Sequence, residues 1–519
     1  MSNGESSPTR ISTKRRFGSM PTRLLLALMG GSLAYFVFAR QGIWPLMLPM
    51  LGAIYFATRG LRFWKAYVVG LVAGFTFFAS QTFWLSMYLG PVPLIALSLL
   101  QALIFAAFFA GGTAVVTGYS ERLSGLRFVF VAAAVTSVFW VSREWFSGNY
   151  PYGGFPWARL VSAHTETSLS RWVWLGGMPL ADLLIVFASV FALELLRQRT
   201  SRTRDTLALV PILAIFAIPL LFPISGASEI GSLKIASVQG NANAGLFSNR
   251  ESGRIYANHI GGTEKLLASG EPFDVLVWPE NAVDLDLFGN PSNYRALEEL
   301  VNRIDRPLIF GTVTQRDYLF NTSVLWLPRA NMVDWYDKTK PVPFAEYVPD
   351  RAFWSQLAPD LIGLLSYDFA AGSRDGIFEV DGKKLGTLIC FEIAVDSVPT
   401  DLVNQGAQVI LSQTNNSDFG KSDEAYQQLA IAKLRAIETG RSLVNISTVG
   451  PSAVYLADGT EVASLKAFTQ GFMNTDVPLR NSKTPALFTV VPLTFGSVTA
   501  SILLFGSLVL RRVRGRARR

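Results

Sequence analysis

Seven apolar stretches crowd the first 225 residues, an eighth closes the chain, and a polar block of about 260 residues separates the last two. That order permits few folds. The stretches cover 23–39, 43–57, 66–89, 92–119, 126–145, 172–196, 207–224 and 487–510. Crossing the hydrocarbon core takes ~20 residues of helix, which most of them reach; the second and seventh lie near the lower limit. With 50% of its residues apolar and only 16% charged, the chain is too oily for a soluble globule and too long for one domain. It reads as a polytopic α-helical membrane domain of eight spans carrying a large polar insert.

The net charge of +8 suggests nucleic acid only until the basic residues are located. They cluster at the ends of the apolar stretches. Arg10, Lys14, Arg15, Arg16 and Arg23 precede or open the first; Arg59, Arg62 and Lys65 join the second to the third; Arg122 and Arg127 the fourth to the fifth; Arg197, Arg199, Arg202 and Arg204 the sixth to the seventh; Arg511, Arg512, Arg514, Arg516, Arg518 and Arg519 end the chain. With eight spans, all fall on one side, and Lys and Arg mark the cytoplasm. The opposite connections are poorer, with Arg40 in the first, no charge at Gly90-Pro91, and mixed charges over 142–171. Both termini are therefore expected in the cytoplasm and the polar block outside it. The first stretch is read as a retained span rather than a cleaved signal, because further spans follow. The division expected is a basic N-terminus over 1–22, seven spans over 23–224, an extracytoplasmic domain over 225–486, the eighth span over 487–510 and an Arg-rich tail over 511–519.

Within the block, short apolar runs at 233–239, 273–279, 307–313, 322–327, 384–390, 407–412 and 442–448 alternate with helical patterns at 249–269, 293–304 and 423–439. Strands alternating with helices imply a sheet covered by helices. Segments 452–456 and 461–465 around Asp458-Gly459 predict a hairpin. A block this long buries a full core by itself.

Cys390 is the only cysteine. It cannot form a disulfide within the chain, and two readings remain: a small buried hydrophobe or a nucleophile. Upstream stand Glu280, in Trp278-Pro279-Glu280 after an apolar run, and a lysine in Trp335-Tyr336-Asp337-Lys338, with Lys340 competing for the same role. A carboxyl emerging at a sheet's edge is partly desolvated, which raises its pKa and suits it to taking a thiol proton. Glu, Lys and Cys are the parts of an activated thiolate, so the expected chemistry is acyl transfer through a thioester.

These residues carry a resemblance. Trp278-Pro279-Glu280, Lys338 ahead of Pro343-Phe344-Ala345-Glu346-Tyr347-Val348-Pro349, and Cys390 before Phe391-Glu392 are similar to the nitrilase, or carbon–nitrogen hydrolase, superfamily. Placed between the seventh and eighth of eight spans, with Phe155-Pro156-Trp157, Val238-Gln239-Gly240-Asn241 and Leu434-Arg435-Ala436-Ile437-Glu438-Thr439-Gly440-Arg441 also matching, the block resembles that superfamily's membrane-embedded branch, the apolipoprotein N-acyltransferases of the bacterial inner membrane. The resemblance implies an αββα nitrilase-like sandwich and a Glu280-Lys338-Cys390 triad, since the family's lysine stands eight residues before the Glu of Pro-Phe-x-Glu. It implies a ping-pong reaction in which a membrane glycerophospholipid acylates Cys390 and the α-amine of a diacylglyceryl apolipoprotein takes the acyl group, with Glu280 handling the protons and Lys338 and a backbone N–H after Cys390 holding the oxyanion.

Supporting roles are implied for Glu346, holding the lysine, and for Phe391 and Glu392, shaping the pocket. Trp157 is open between a site facing the domain and an interfacial anchor. Two departures stand out: Phe391 where the family often has Tyr, and Asp418 where Asn-Asp-x-Trp-Phe-Gly has Trp. Segment 353–369 is unusually apolar, with Leu357, Leu361, Leu364 and Leu365 at helical spacing, and is read as core packing or as an interfacial lid. His164 and His259 have no metal-ligand spacing, and nothing calls for a metal, nucleotide or organic cofactor. Two competing functions use the same residues: a membrane-tethered amidase hydrolysing a C–N bond, and a scaffold with an idle triad.

Overall fold

The computed structural model describes residues 18–38, 42–120, 122–198, 206, 209–245, 251–330, 332–365 and 367–517. Among the residues weighed for orientation, Arg10, Lys14, Arg15, Arg16, Arg40, Arg199, Arg202, Arg204, Arg518 and Arg519 lie outside that set, as do the first residues of the 207–224 stretch and of the 249–269 pattern.

The first half is helical: α1 (Met20–Phe38), α2 (Met47–Thr58), α3 (Phe63–Gln81), α4 (Leu85–Leu89), α5 (Pro91–Ser120), α6 (Gly125–Asn149), α7 (Trp172–Gln198) and α8 (Val210–Ala217). Among the described residues six helices are long and apolar enough to cross a membrane: Met20–Phe38, Phe63–Gln81, Pro91–Ser120, Gly125–Asn149, Ser168–Gln198 and Ala486–Arg514. The second and seventh expected spans correspond to the shorter apolar helices Trp44–Thr58 and Val210–Leu221. The third stretch also ends early. Ser80 and Thr82 turn their hydroxyls back onto the carbonyls of Thr76 and Phe78, competing with the helical bonds, and α4 starts anew. Small residues let these helices pack closely, as is usual where lipid offers no hydrophobic drive. A Cβ on Gly70 would lie 3.1 Å from Ala106 Cα, and one on Gly74 3.1 Å from Ala102 Cα.

The polar block builds two six-stranded sheets. The first contains β1 (Ser232–Gln239), β2 (Val275–Val277), β3 (Leu308–Gln315), β4 (Leu319–Trp326) and β5 (Met332–Asp337), with the late strand β12 (Gly471–Pro478) beside β1. The second runs from β6 (Ile377–Val380) through β7 (Lys383–Ile389), β8 (Val409–Thr414), β9 (Ser442–Ser447) and β10 (Ser452–Tyr455) to β11 (Glu461–Leu465). Residues such as Ile235, Val277 and Ile309 of the first sheet share a core with Leu385, Leu411 and Val444 of the second. On the first sheet's outer face, α9 (Arg254–Ser269) and α10 (Pro291–Ile304) pack on Trp278, Phe310 and Trp326. After two short helices, α11 (Arg351–Leu357) and α12 (Pro359–Ile362), come α13 (Ser397–Asn404) and α14 (Glu424–Thr439), which cover the second sheet, and α15 (Ala486–Ala517) ends the described chain. This is the αββα order. Its last layer does not end in solvent: one apolar cluster runs from Leu388, Ile410, Leu434 and Ile437 into Leu160, Val173 and Ile185 of the membrane half.

Strands β1, β2 and β3 are mutually parallel, as are β7, β8 and β9. Side chains at the carboxyl ends of such strands face a common crevice. Glu280 reaches it after β2 because Pro279 ends the strand and Gly311 of β3 lets the chain pass close. A Cβ on Gly311 would lie 2.6 Å from both Glu280 Cα and Asn281 N, and 2.7 Å from Pro279 O. Replacing Gly311 by Ala is therefore expected to cost about 1–3 kcal/mol through overpacking and, by displacing Glu280, to lower the acylation of Cys390 that the resemblance implies. Thermal unfolding in micelles together with single-turnover acylation checks this; an unchanged rate would show that the close approach does not position the acid.

Candidate active site

Cys390 is the first residue after β7, and its φ of 53° lies in the left-handed region that L-residues rarely occupy. The chain turns there into the short 3-10 helix Cys390–Ala394. What holds this turn is Glu392. Its Oε2 accepts from Ile389 N at 2.8 Å, and its Oε1 accepts from the Tyr336 hydroxyl, Thr339 N and the Thr339 hydroxyl, each at 2.8 Å, and from Lys340 N at 3.1 Å. The Glu392 side chain is therefore turned into the protein rather than lining a pocket, which corrects the role implied by the resemblance. It joins the nucleophile's turn to the end of β5, where Lys338 sits.

Lys338 is 2% exposed, whereas Lys340 points to solvent. The Lys338 ammonium lies 2.9 Å from Glu346 Oε2 and 3.7 Å from Glu280 Oε1. Asn321, on β4, donates through one nitrogen to Glu280 Oε1 at 2.7 Å and Glu346 Oε1 at 3.0 Å, and Val342 N donates to Glu346 Oε2 at 2.6 Å. Glu346 thus pairs directly with the lysine. On the far side of the thiol, Gln428 Nε2 of α14 lies 3.5 Å from Cys390 Sγ.

Burial governs the protonation states. It pushes the Glu280 carboxyl above its usual range, more strongly than the Lys338 charge pulls it down, and the Glu346 charge pushes the same way. Burial also disfavours the Lys338 ammonium, but the Glu346 and Glu280 carboxylates outweigh it and raise its pKa. The Cys390 thiol is pushed up by burial and then by the Glu280 charge, with Lys338 opposing. Burial thus favours the protonated form of the sulfur, with the Glu280 carboxyl and the Lys338 ammonium as its charged neighbours.

The membrane half closes this site. Phe391, Phe155 and Trp157 form a triangle of near-parallel rings: Trp157 is 6.4 Å and 7° from Phe391, Phe155 is 6.2 Å and 19° from Phe391, and the two membrane-half rings are 5.8 Å and 23° apart. Trp157 Nε1 donates to Gln427 Oε1 at 2.6 Å. Trp157 therefore packs against the residue that follows Cys390. Near the Asp418 departure, Phe419 meets Trp84 edge-on at 4.9 Å, so an aromatic from the membrane half lies beside this loop. The two histidines stand elsewhere: His259 Nδ1 contacts Ile255 O at 2.8 Å under Trp278, and His164 packs near Trp44. Among the described residues no group of acidic, His or Cys side chains has the form of a metal site. Sequence reasoning passed over Asn321, Asn416, Glu424 and Gln428. The one available signal was polar side chains inside or just after apolar strand patterns, as at Phe320-Asn321-Thr322.

Residues 30–191 match the family described as apolipoprotein N-acyltransferase N-terminal domain, and residues 234–484 match carbon-nitrogen hydrolase. The apolipoprotein N-acyltransferase of Mycolicibacterium smegmatis is 29% identical over 89% of this chain and 81% of its own length. The enzyme of the same name from Pseudomonas paraeruginosa is 27% identical over 95% of this chain and 97% of its own. Over most of its length the chain is similar to the apolipoprotein N-acyltransferases. Among solved structures, an amidase of the nitrilase superfamily from Nesterenkonia AN1 aligns with a TM-score of 0.37 at 16% identity, over 50% of this chain and 95% of that one. The first family match contains Phe155 and Trp157, and the second contains Glu280, Lys338 and Cys390. The two matched regions meet at Phe391.

The carboxylate of Glu392 generates a test. Glu392→Gln puts an amide where only donors point, leaving a buried N–H opposed to another. The expected cost is about 1–3 kcal/mol, with slower alkylation and acylation of Cys390 as the turn loosens. Denaturant unfolding and thiol-labelling rates measure both; full stability would refute the cross-link.

Proposed function

We propose that this protein transfers an acyl chain from a membrane glycerophospholipid, through a thioester on Cys390, to the α-amine of the diacylglyceryl-modified N-terminal cysteine of apolipoproteins, the last step of lipoprotein maturation. The observation that carries this reading is where the thiol lies, at the seam between the sandwich and the membrane helices, with Phe155 and Trp157 against the residue that follows it. Glu280 takes the thiol proton as the sulfur attacks the ester carbonyl. Lys338 and the Phe391 N–H hold the resulting oxyanion, each such donor contributing ~3 kcal/mol. The lysophospholipid departs, and the incoming amine resolves the thioester. The catalytic roles of Glu280, Lys338 and Cys390, with Glu346 fixing the lysine, belong to this proposal, as does a site facing the outer leaflet.

The proposed arrangement has eight spans in the bacterial inner membrane, both termini cytoplasmic and the domain over 225–486 periplasmic. Arg59, Arg62, Lys65, Arg122 and Arg127, all at helix ends on one expected side, support it. Segment 353–369 serves as an interfacial lid. Its helical spacing is broken after Leu357, where α11 gives way to α12 at Pro359, yet Leu357 and Leu364 are 66% and 55% exposed, which suits insertion among headgroups.

Two measurements follow. Incubation with labelled phospholipid should leave a hydroxylamine-sensitive acyl adduct on Cys390, absent in Cys390→Ala and consumed by a diacylglyceryl peptide; loss to water at the same rate with or without the peptide would favour a membrane-tethered amidase instead. Leu357→Asp with Leu364→Asp should weaken use of phospholipid in vesicles at least tenfold, about 1.4 kcal/mol, with unfolding unaffected; unchanged kinetics would remove the lid.

A further inference from the structure

One carboxyl beside the nucleophile has no part in this scheme. Glu424 opens α14 and is 3% exposed. Its Oε2 accepts from Asn416 Nδ2 at 2.9 Å. The same nitrogen reaches Gln428 Oε1 at 2.7 Å, and Gln428 Nε2 lies 3.5 Å from Cys390 Sγ. Asn416 is itself fixed, its Oδ1 accepting from Thr414 Oγ1 at 3.0 Å and Ser447 Oγ at 2.7 Å. A short chain of amides therefore joins a second carboxyl to the thiol, from a different element than the one that delivers Glu280.

The two carboxyls differ in their company. Glu280 and Glu346 share the Lys338 ammonium, whereas among the described residues no cation pairs with Glu424. Burial pushes Glu424 up to about 8, with the Asn416 bond opposing and the Glu280 charge adding. It holds its proton where Glu280 has a cation to balance a charge. Environments that set two carboxyls apart in this way divide the work of acid and base.

We propose that Glu424 is a further catalytic residue, the acid that protonates the departing glyceryl oxygen in the first half-reaction and the base that accepts the amine's proton in the second. The proposal rests on phospholipid-to-amine acyl transfer as read above. In the first half, Glu280 takes the thiol proton, the S–C bond forms, the ester C–O bond breaks and Glu424 gives its proton to the leaving oxygen. A thioester, a protonated Glu280 and an ionised Glu424 result. In the second half, the neutral amine forms the C–N bond and loses its proton to Glu424, while the C–S bond breaks and the sulfur recovers its proton from Glu280. Both carboxyls return to their starting states after one acyl group has moved. A scheme using Glu280 alone requires that carboxyl to reach the thiol, the leaving oxygen and the amine in turn.

The test compares two acyl donors in single-turnover acylation of Cys390, using the full chain in micelles of an ester-free detergent and Glu424→Gln, which keeps an acceptor for Asn416. A phospholipid releases an alkoxide that needs a proton; a p-nitrophenyl ester releases a phenolate that does not. The expected result is a loss of about 10²–10⁴-fold with phospholipid and a rate within a small factor of the parent with the nitrophenyl ester, which also reports that the variant is folded. Equal losses with both donors would overturn the proposal in favour of a positioning role, and no loss with either would overturn it outright. If the parent protein acylates from the nitrophenyl ester but never from phospholipid, the donor reading itself fails, and the proposal with it.

Discussion

Five donors converge on the Glu392 carboxylate, and through them the two sheets hold the nucleophile and the lysine together. β5 belongs to one sheet and β7 to the other, so nothing in either ladder relates Lys338 to Cys390. The bonds from Tyr336, Thr339 and Lys340 on one side and Ile389 on the other do. Gln413 adds a second tie between the sheets: it accepts from Ser323 and Thr387 and donates to Trp278 O at 2.6 Å, two residues before Glu280. Buried polar groups are expensive unless satisfied, and these are satisfied only when the sheets are in register.

The same economy explains the resting thiol. Lys338 is buried between carboxylates that hold its charge, and the sulfur beside it stays protonated because burial disfavours a thiolate. A lone cysteine kept in this state is poorly reactive toward oxidants. In the proposed reaction the arrival of an ester carbonyl would let the Lys338 charge stabilise the oxygen that becomes negative as the sulfur attacks.

Behind the nucleophile, charge also joins the sandwich to the membrane half. Arg435 of α14 donates to Ile393 O and Ala394 O, each at 2.9 Å, and to Asp396 at 2.6 Å, while Arg159 from the loop before α7 reaches the other Asp396 oxygen at 2.6 Å. Burial works against the Asp396 carboxylate, but Arg159 and Arg435 outweigh it and draw its pKa down to about 2. Asp182 of α7 in turn accepts from Leu160 N and Val161 N. The turn that presents Cys390 is thereby braced by residues rooted among the membrane helices, and an apolar cluster continuous across the seam reinforces the brace.

By itself the chain's sequence determined which segments are apolar enough for membrane helices, where the buried strands of the block run, and that Glu280 and Cys390 lie at strand ends, because each depends on patterns local in sequence. The strands it did not reveal, β5, β6 and β12, are all sheet edges; an edge strand is partly solvated and carries residues such as Asp334 and Asn474 that blur the alternation. The hairpin partner β11 is also an edge, and was legible because Asp458-Gly459 is a turn signal in its own right. Only the tertiary structure decided that Glu392 faces inward, that Trp157 stacks on Phe391, and that Asn321, Asn416, Glu424 and Gln428 gather around Glu280 and Cys390. Amides and carboxylates acquire such roles from burial and from partners up to hundreds of residues away, and neither property is written in the neighbouring sequence.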